Sequence, residues 1–205
     1  MTVAILGAGN MGQGLAKRLA AAGEEILLVA RDPKKTAEAA KAIGSKVKAA
    51  PASAAASADL IILAVPYAEA GAVLGEVGDV AGKVIVDITN AVGPNMSMAV
   101  SGNNSAAEEI QKKAGRAKVV KAFNTIFARF FDETFAKDPP QVFYCGDDAA
   151  AKEKVAGLIK RIGFEPIDAG PLENARQLEA MGNLGIRLAY GLGRGTTFTP
   201  GLVTH

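Results

Sequence analysis

Short apolar runs alternate with amphipathic segments along most of the chain. Most of these runs are continuously apolar, as in strands that are buried on both faces of a parallel sheet. The predicted strands span 3–6, 25–30, 59–65, 83–88, 117–123, 141–145 and 164–169. An Ala- and Ser-rich stretch, 48–59, predicts a further short strand, a turn at Pro51 and a small helix, with a flexible linker as the alternative.

The segments between the strands have helical patterns, and several end in glycine, as helices commonly do. The predicted helices span 12–23, 33–44, 67–78, 105–115, 147–163 and 171–195. This alternation predicts an α/β protein with a Rossmann-type, doubly wound and mostly parallel sheet. We expect one dinucleotide-binding domain over 1–205, with a core over 1–140 and a short C-terminal strand–helix extension over 141–205. The irregular stretch 89–105 is long enough to be a functional or mobile loop.

Three glycines follow the first strand in the spacing of a phosphate-binding turn. Gly7, Gly9 and Gly12 form G-x-G-x-x-G between a strand and a helix, the context in which this motif is informative. Gly7 permits the tight turn, Gly9 lets a pyrophosphate approach, and Gly12 allows close packing of helix and strand. The motif therefore predicts a dinucleotide site, with an ordinary glycine-rich turn as the alternative.

The second strand ends in a charged cluster, where such folds contact the adenosine ribose. Asp32 precedes Pro33 and is expected to cap the next helix, so its carboxylate is occupied. Arg31 and one of the lysines, Lys34 or Lys35, are then expected to bind a ribose 2′-phosphate. This reading predicts NADP. In the alternative, Asp32 binds the ribose of NAD, and the two lysines are solvent-exposed residues at the start of the helix that bind no phosphate.

Polar side chains follow three further strands. Pro66 and Tyr67 end the 59–65 strand, Thr89 and Asn90 follow the next strand, and Asn124 follows the one after it. Since the carboxyl ends of parallel strands lie at one edge, these residues are expected to surround one crevice. Neutral amides there can hydrogen-bond a carboxamide or a heterocycle. A simple strand-ending role is the alternative for Pro66.

Groups for acid–base or metal chemistry are sparse. The sole histidine, His205, is the last residue of the sequence, and no metal-binding motif occurs. The sole cysteine, Cys145, ends an apolar strand and is expected to be buried. Carbonyl reduction normally needs a proton donor, whereas hydride transfer to a flavin-like ring depends mainly on stacking of the two cofactors. This pattern favours a redox coenzyme as the second substrate.

Composition excludes other classes of protein. The net charge of +2 gives no reason to expect a nucleic-acid or membrane partner. With one cysteine, no signal-peptide pattern and no apolar run long enough to span a bilayer, we expect a cytoplasmic protein.

Two apolar patterns near the C-terminal side predict packing surfaces. A helical face of phenylalanines is expected in a core or a subunit interface, or as an aromatic wall for a flat ring: Phe123, Phe127, Phe130, Phe131 and Phe135. A stripe on the last helix is expected to pack on another subunit or on its own sheet: Leu178, Met181, Gly185, Leu188 and Leu192, with Gly182 and Gly185 allowing close approach.

Motifs spread over nearly the whole chain carry a family resemblance: "GAGNMGQGLAKRLAAAG", "ARDPKK", "AVPY", "VKAFNTI", "VFYCGDDAAAKEKV" and "IDAGPLENARQLE". The sequence resembles the NADPH-dependent reductases of the 8-hydroxy-5-deazaflavin coenzyme, and the oxidoreductase domain of metalloreductases that pass hydride from NADPH to FAD. The resemblance implies NADP as cofactor, a flavin or deazaflavin as second substrate, and a homodimer whose extension contributes to the acceptor site.

The resemblance also implies site residues. For NADPH these are Gly7, Gly9, Asn10, Met11, Gly12, Arg31, Lys35, Val65, Pro66 and Tyr67; for orientation of the second ring they are Thr89, Asn90 and Asn124. The archaeal deazaflavin reductases have histidine in place of Asn124, whereas the metalloreductase domains share the asparagine. Two alternatives are a reductase of a small imine or carbonyl compound, for which little chain remains to form a second helical domain, and a non-catalytic NADPH sensor.

Overall fold

The apolar runs form the eight strands of one sheet in a computed structural model, which describes residues 1–135 and 137–203. The strands are β1 (Thr2–Leu6), β2 (Glu25–Val29), β3 (Val47–Ala49), β4 (Leu60–Leu63), β5 (Val84–Asp87), β6 (Lys118–Lys121), β7 (Gln141–Gly146) and β8 (Glu165–Asp168). Their order is β3-β2-β1-β4-β5-β6-β7-β8, and all pairs are parallel except β6–β7. The Rossmann-type fold is confirmed. His205 lies outside the described residues.

Within residues 1–135 and 137–203, six α-helices connect and cover the strands. They are α1 (Asn10–Ala21), α2 (Pro33–Ile43), α3 (Tyr67–Val77), α4 (Ala106–Ala114), α5 (Ala149–Arg161) and α6 (Ala175–Ile186). The prediction of a single helix over 171–195 is wrong at both ends, since a 3₁₀ turn at Leu172–Asn174 precedes α6 and a π-helical turn at Arg187–Gly191 ends it.

Side-chain caps set where several helices begin. Asp32 accepts hydrogen bonds from the amides of Lys34 and Lys35, both at 3.1 Å, which confirms the predicted cap of α2. Ser105 caps α4 and Asp148 caps α5 in the same way. These contacts satisfy amides that have no partner within the first helical turn.

The sheet separates two apolar cores, which explains why its strands are continuously apolar. Val3 and Ile5 of β1 belong to one core, and Ala4 and Leu6 belong to the other. Helices α1, α2 and α5 cover the first face, whereas α3, α4 and α6 cover the second. Cys145 is buried as expected, and burial raises the pKa of its thiol to about 12.

Two irregular stretches have definite structure. The 48–59 stretch contains β3 and a 3₁₀ helix at Ala52–Ser57, as predicted. The 89–105 stretch folds back on itself, because the amide of Ala99 donates to the carbonyl of Ala91 at 2.7 Å and Val92 bridges Met98. Its tip is held to α6, since Asn183 Nδ2 donates to the carbonyl of Met96 at 3.0 Å.

The phenylalanine-rich segment does not form the predicted helical face. Only a 3₁₀ turn at Ala128–Phe131 is helical there, because Phe123 has a left-handed backbone (φ 59°) that turns the chain after β6. The expectation of a core position is confirmed for Phe123, Phe130 and Phe131, which are buried. Phe127 is only partly buried and lies at the cavity described below.

Arg18 of α1 fastens this segment. Its guanidinium donates to the carbonyls of Phe131 at 2.8 Å and Phe130 at 2.9 Å, and also to that of Glu133. A further bond, at 3.0 Å, reaches the carbonyl of Ile162 after α5. One side chain of α1 therefore fixes both the 130–133 segment and the end of α5.

Candidate active site

Two cavities lie side by side along the carboxyl ends of the central strands. The α2 cavity, of about 490 Å³, is lined by the glycine turn, the end of β2 and the start of α2. The α6 cavity, of about 440 Å³, is lined by the residues that follow β4, β5 and β6 and by one side of α6. Gly9, Ala64, Val65 and Pro66 line both. A ligand longer than one cavity can therefore extend across this shared wall.

The glycine turn has the geometry that its spacing predicts. Gly7 has φ +120°, and a Cβ there would lie 2.2 Å from the carbonyl oxygen of Ala64. A Cβ on Gly12 would lie 1.9 Å from the carbonyl oxygen of Gly7, whereas one on Gly9 would meet nothing within 4 Å. No side chain caps α1. Its first amides are therefore available to an anion beside Gly9.

The α2 cavity has two cationic side chains. Arg31 and Lys35 line it, and both are highly exposed, at 83 and 84%. Glu69 also lines this cavity, with its Oε1 3.4 Å from Arg31 Nη2. Because Asp32 caps α2, Arg31 and Lys35 are the groups at this end that can bind a phosphate as charged donors.

An interlocked pair of amides forms the polar edge of the α6 cavity. Asn90 Nδ2 donates to the backbone carbonyl of Asn124 at 2.7 Å, and Asn124 Nδ2 donates to Asn90 Oδ1 at 3.0 Å and to the carbonyl of Leu178 at 2.7 Å. Because backbone carbonyls only accept hydrogen bonds, these contacts fix the orientation of both amides.

Three buried oxygens at this edge have no hydrogen-bond partner in the described structure: Thr89 Oγ1, Asn124 Oδ1 and Thr125 Oγ1. Their residues line the α6 cavity and are at most 6% exposed. A buried polar atom without a partner is costly. The edge thus fits a ligand that offers a donor to the amide oxygen and polar atoms to the two hydroxyls.

Much of the remaining wall of the α6 cavity is apolar and partly aromatic, with Met11, Ile88, Phe127, Ile186, Tyr190 and Phe198 in its lining. The ring of Phe127 lies edge-on to those of Phe198 and Tyr190, at centroid distances of 5.5 and 6.2 Å. The C-terminal tail reaches this wall through Phe198 and Pro200, and the amide of Leu202 joins the tail to β7 by donating to Gln141 Oε1 at 2.6 Å. A flat ring fits between such a wall and the polar edge.

A buried ion triad lies directly behind the polar edge. Lys121 Nζ is 2.8 Å from Asp87 Oδ2 and 3.0 Å from Glu179 Oε1, and it donates to the carbonyl of Thr89 at 2.6 Å. Burial lowers the pKa of Lys121, but the carboxylates of Asp87 and Glu179 outweigh this effect and raise it above its usual range. The ammonium therefore stays charged.

The cavities bring together all the predicted site residues except Gly12 and Tyr67. Gly12 serves helix packing instead, as its motif position predicts. Tyr67 begins α3, and its hydroxyl donates to Glu109 of α4. Burial and this hydrogen bond raise the pKa of Tyr67 above its usual range. The side chain of Tyr67 is therefore turned towards α4.

Sequence reasoning missed the triad, Thr125 and the role of Gly182. The triad had a signal in the sequence, because Asp87 and Lys121 carry opposite charges near the ends of two consecutive predicted strands, 83–88 and 117–123. Gly182 was expected to allow close approach of another backbone. In the structure, a Cβ on Gly182 would lie 2.5 Å from Asn90 Oδ1 and 2.7 Å from Asn124 Nδ2. The same Cβ would lie 3.0 Å from the backbone carbonyl oxygen of Asn124. The expected close approach of a backbone is therefore present, and the side-chain amides approach closer still.

Comparisons with known proteins agree with this geometry. Residues 2–91 match the family model described as "NADP oxidoreductase coenzyme F420-dependent". The F420-dependent NADP reductase of Methanothermobacter marburgensis is 34% identical over 92% of this chain and 92% of its own length. The chain belongs to the F420-dependent NADP reductase family. The suspected resemblance is thereby confirmed.

Two further comparisons define the extent of this family likeness. The crystal structure of a candidate F420-dependent NADP reductase from Arthrobacter sp. FB24 has a TM-score of 0.85 and 32% identity, covering 95% of this chain and 96% of its own. Metalloreductase STEAP3 of Rattus norvegicus is 31% identical over 87% of this chain. The chain spans only 36% of that metalloreductase.

Neither a membrane-spanning helix nor a cluster of metal-ligating side chains occurs among the described residues. Within 1–135 and 137–203, no helix is long and apolar enough to cross a membrane. Over the same ranges, no group of three or more His, Cys, Asp or Glu residues could hold a metal ion.

Gly182→Ala tests how tightly the amide pair packs against α6. We expect it to lower the free energy of unfolding by about 1–3 kcal/mol, since the added methyl group overpacks a buried contact. Urea denaturation measures this change. Gly185→Ala is the matched control in the same helix, because its nearest neighbour is Phe127 Cζ at 4.0 Å. Equal stability of the two variants would contradict the tight packing.

Proposed function

We propose that this protein is an NADP-dependent oxidoreductase that transfers hydride between NADP(H) and F420, an 8-hydroxy-5-deazaflavin coenzyme. Family membership supports NADP-dependent oxidoreduction and F420 as the partner coenzyme. The observation that carries the proposal is the pair of joined cavities. One has cations suited to a phosphate, and the other is lined both by buried polar groups and by aromatic rings.

The chain's own residues suggest how the nucleotide is held. The start of α1 and Gly9 accept the pyrophosphate, because the helix offers uncapped amides and Gly9 leaves room for close approach. Arg31 and Lys35 bind the 2′-phosphate in the α2 cavity. Val65 and Pro66, which line both cavities, then lie beside the middle of the nucleotide.

The α6 cavity orients the reacting rings. Asn124 Oδ1 accepts a hydrogen bond from a ring substituent, and the hydroxyls of Thr89 and Thr125 complete the polar edge. When bound, the nicotinamide supplies the hydride chemistry. None of the described residues lining this cavity is an acid, a lysine, a histidine or a cysteine. The protein therefore contributes mainly the position of the two rings.

We also propose a homodimer in which the 141–205 extension contributes to the acceptor site. The turn after α6 and the tail have exposed apolar side chains, among them Tyr190 at 63% and Leu192 at 72%. Exposed apolar side chains of this kind favour a partner surface. A cytoplasmic location stays a prediction from the sequence.

FAD is the second candidate acceptor. The likeness to the metalloreductase favours it, as does Asn124, which the metalloreductase domains are expected to share. A small imine or carbonyl substrate would depend on Tyr190 as proton donor, because the described lining of this cavity has no carboxylic acid, lysine, histidine or cysteine. A non-catalytic sensor would bind NADPH without turnover.

Anaerobic mixing with NADPH tests the acceptor. We expect rapid loss of NADPH absorbance with F420 and slow or no loss with FAD, FMN or buffer, because only the matching ring stacks productively. Rapid oxidation with FAD alone would replace F420 by the second candidate. Tight binding of NADPH without oxidation by any acceptor would support the sensor.

Arg31→Ala tests recognition of the 2′-phosphate. We expect binding of NADPH to weaken by about 1–3 kcal/mol, the scale of a charge-assisted hydrogen bond, and binding of NADH to change little. Fluorescence titration with both nucleotides measures the difference. Lys34→Ala is the control, because Lys34 shares the same helical turn but does not line the α2 cavity. Equal losses for both nucleotides would refute the assignment.

The unpaired oxygen of Asn124 predicts recognition of the nicotinamide carboxamide. The 3-acetylpyridine analogue of NADP lacks the amide N–H donors, so we expect wild-type protein to bind it more weakly than NADP by about 1–3 kcal/mol. In Asn124→Ala the two nucleotides should bind alike. Competition titrations measure both differences. An unchanged preference in the variant would show that another group reads the carboxamide.

A further inference from the structure

Lys121, Asp87 and Glu179 join four parts of the structure at one ammonium group. Asp87 ends β5 and Lys121 ends β6, and the two residues are register partners in the sheet. Glu179 belongs to α6, and its carboxylate accepts from the amides of Ala106 and Ala107 at the start of α4, at 2.9 and 3.0 Å. The triad therefore fixes both helices against the strand ends.

The triad also holds the main chain of the polar edge. The amide of Thr89 donates to Asp87 Oδ1 at 2.9 Å, and its carbonyl accepts from Lys121 at 2.6 Å. On α6, Leu178 precedes Glu179, and its carbonyl accepts from Asn124 Nδ2 at 2.7 Å. The triad thus holds Thr89 by direct hydrogen bonds. It holds Asn124 indirectly, through Leu178, which precedes Glu179 in α6.

Stability alone does not account for such a group. Removing charges from water costs several kcal/mol per ion, and a well-packed apolar replacement of a buried ion cluster is often neutral or stabilising. The triad adds directional hydrogen bonds. Lys121 Nζ has three protons, and three oxygens surround it at nitrogen–oxygen distances of 2.6–3.0 Å. Apolar side chains could still pack if the elements shifted along the strands. The hydrogen bonds of the triad form in only one alignment of β5, β6 and α6.

We infer that Lys121, Asp87 and Glu179 act as positioning residues, which place the Thr89 and Asn124 side chains for the nicotinamide half of the nucleotide. This inference rests on the proposed binding of NADP(H) across the two cavities. None of the three lines either cavity, so they act through Thr89 and α6. The α2 cavity, which holds the adenosine half, does not depend on them.

The variant that tests the inference is Glu179→Gln. It keeps the size of the side chain but removes one charge and one acceptor for Lys121 or for the start of α4. Lys121→Met is unsuitable because it leaves two buried carboxylates unpaired. Glu108→Gln is the matched control, since Glu108 also joins α4 to α6, through Arg176 at 2.5 and 2.9 Å, without touching the triad.

The measurement is calorimetric titration of wild type and variants with NADPH and with 2′-AMP, which represents the adenosine half. We expect Glu179→Gln to weaken NADPH binding by about tenfold or more, as small misplacements of binding groups do, with 2′-AMP affected less than about twofold. Glu108→Gln should change neither. If Glu179→Gln gives no folded protein, Asp87→Asn provides the same test from β5.

Two results would overturn the inference. One is a Glu179→Gln variant that binds NADPH as wild type does; the other is an equal loss of affinity for both ligands, which would indicate a general effect on the fold. The titration needs no hydride acceptor. Failure of F420 to oxidise NADPH would therefore contradict the proposed function while leaving this binding test valid.

Discussion

A lysine ammonium that is removed from water stays charged only where oxygens replace its hydration shell. Lys121 has no exposed surface, and its three protons are taken by Asp87, Glu179 and the carbonyl of Thr89. Because these oxygens come from β5, from α6 and from the loop after β5, the ammonium fixes their relative positions. The polar edge of the α6 cavity is built on that arrangement.

A second constraint acts at the end of β6. Phe123 has a left-handed backbone, a conformation that costs of the order of 1–3 kcal/mol for a non-glycine residue. Its ring is buried against Phe131 and Phe164, at centroid distances of 6.1 and 6.3 Å, and Arg18 holds the carbonyl of Phe131. Aromatic packing therefore offsets the strain, and the resulting turn carries Asn124 to the cavity.

The two cavities have different roles in the proposed site and are built from different structural elements. The α2 cavity uses the ends of β1 and β2, where glycines, helix amides and exposed cations suit phosphates. The α6 cavity uses the ends of β5 and β6 together with α6, where buried amides and hydroxyls face aromatic rings. A site that only has to align two cofactor rings needs shape and fixed dipoles more than acid–base groups.

Local sequence patterns determined the fold and one end of the site. Continuous apolar runs and glycine-terminated helices predicted the parallel sheet, and the glycine spacing predicted the turn around Gly7 and Gly12 with correct individual roles. The Asp32–Pro33 pair predicted that Asp32 caps α2, which the structure confirms. These features depend on residues that are close in the chain, so a linear pattern contains them.

At the other end the strand pattern predicted that Thr89, Asn90 and Asn124 lie together, but tertiary structure decided how they are held. The partners of Lys121 lie 34 and 58 positions away along the chain, and the amide of Asn124 is oriented by the distant carbonyl of Leu178. The left-handed backbone of Phe123 interrupted a segment whose apolar spacing predicted a helix. Gly182 faces the amide pair only because α6 packs across the ends of β5 and β6. Contacts between distant elements set these positions, and no local pattern encodes them.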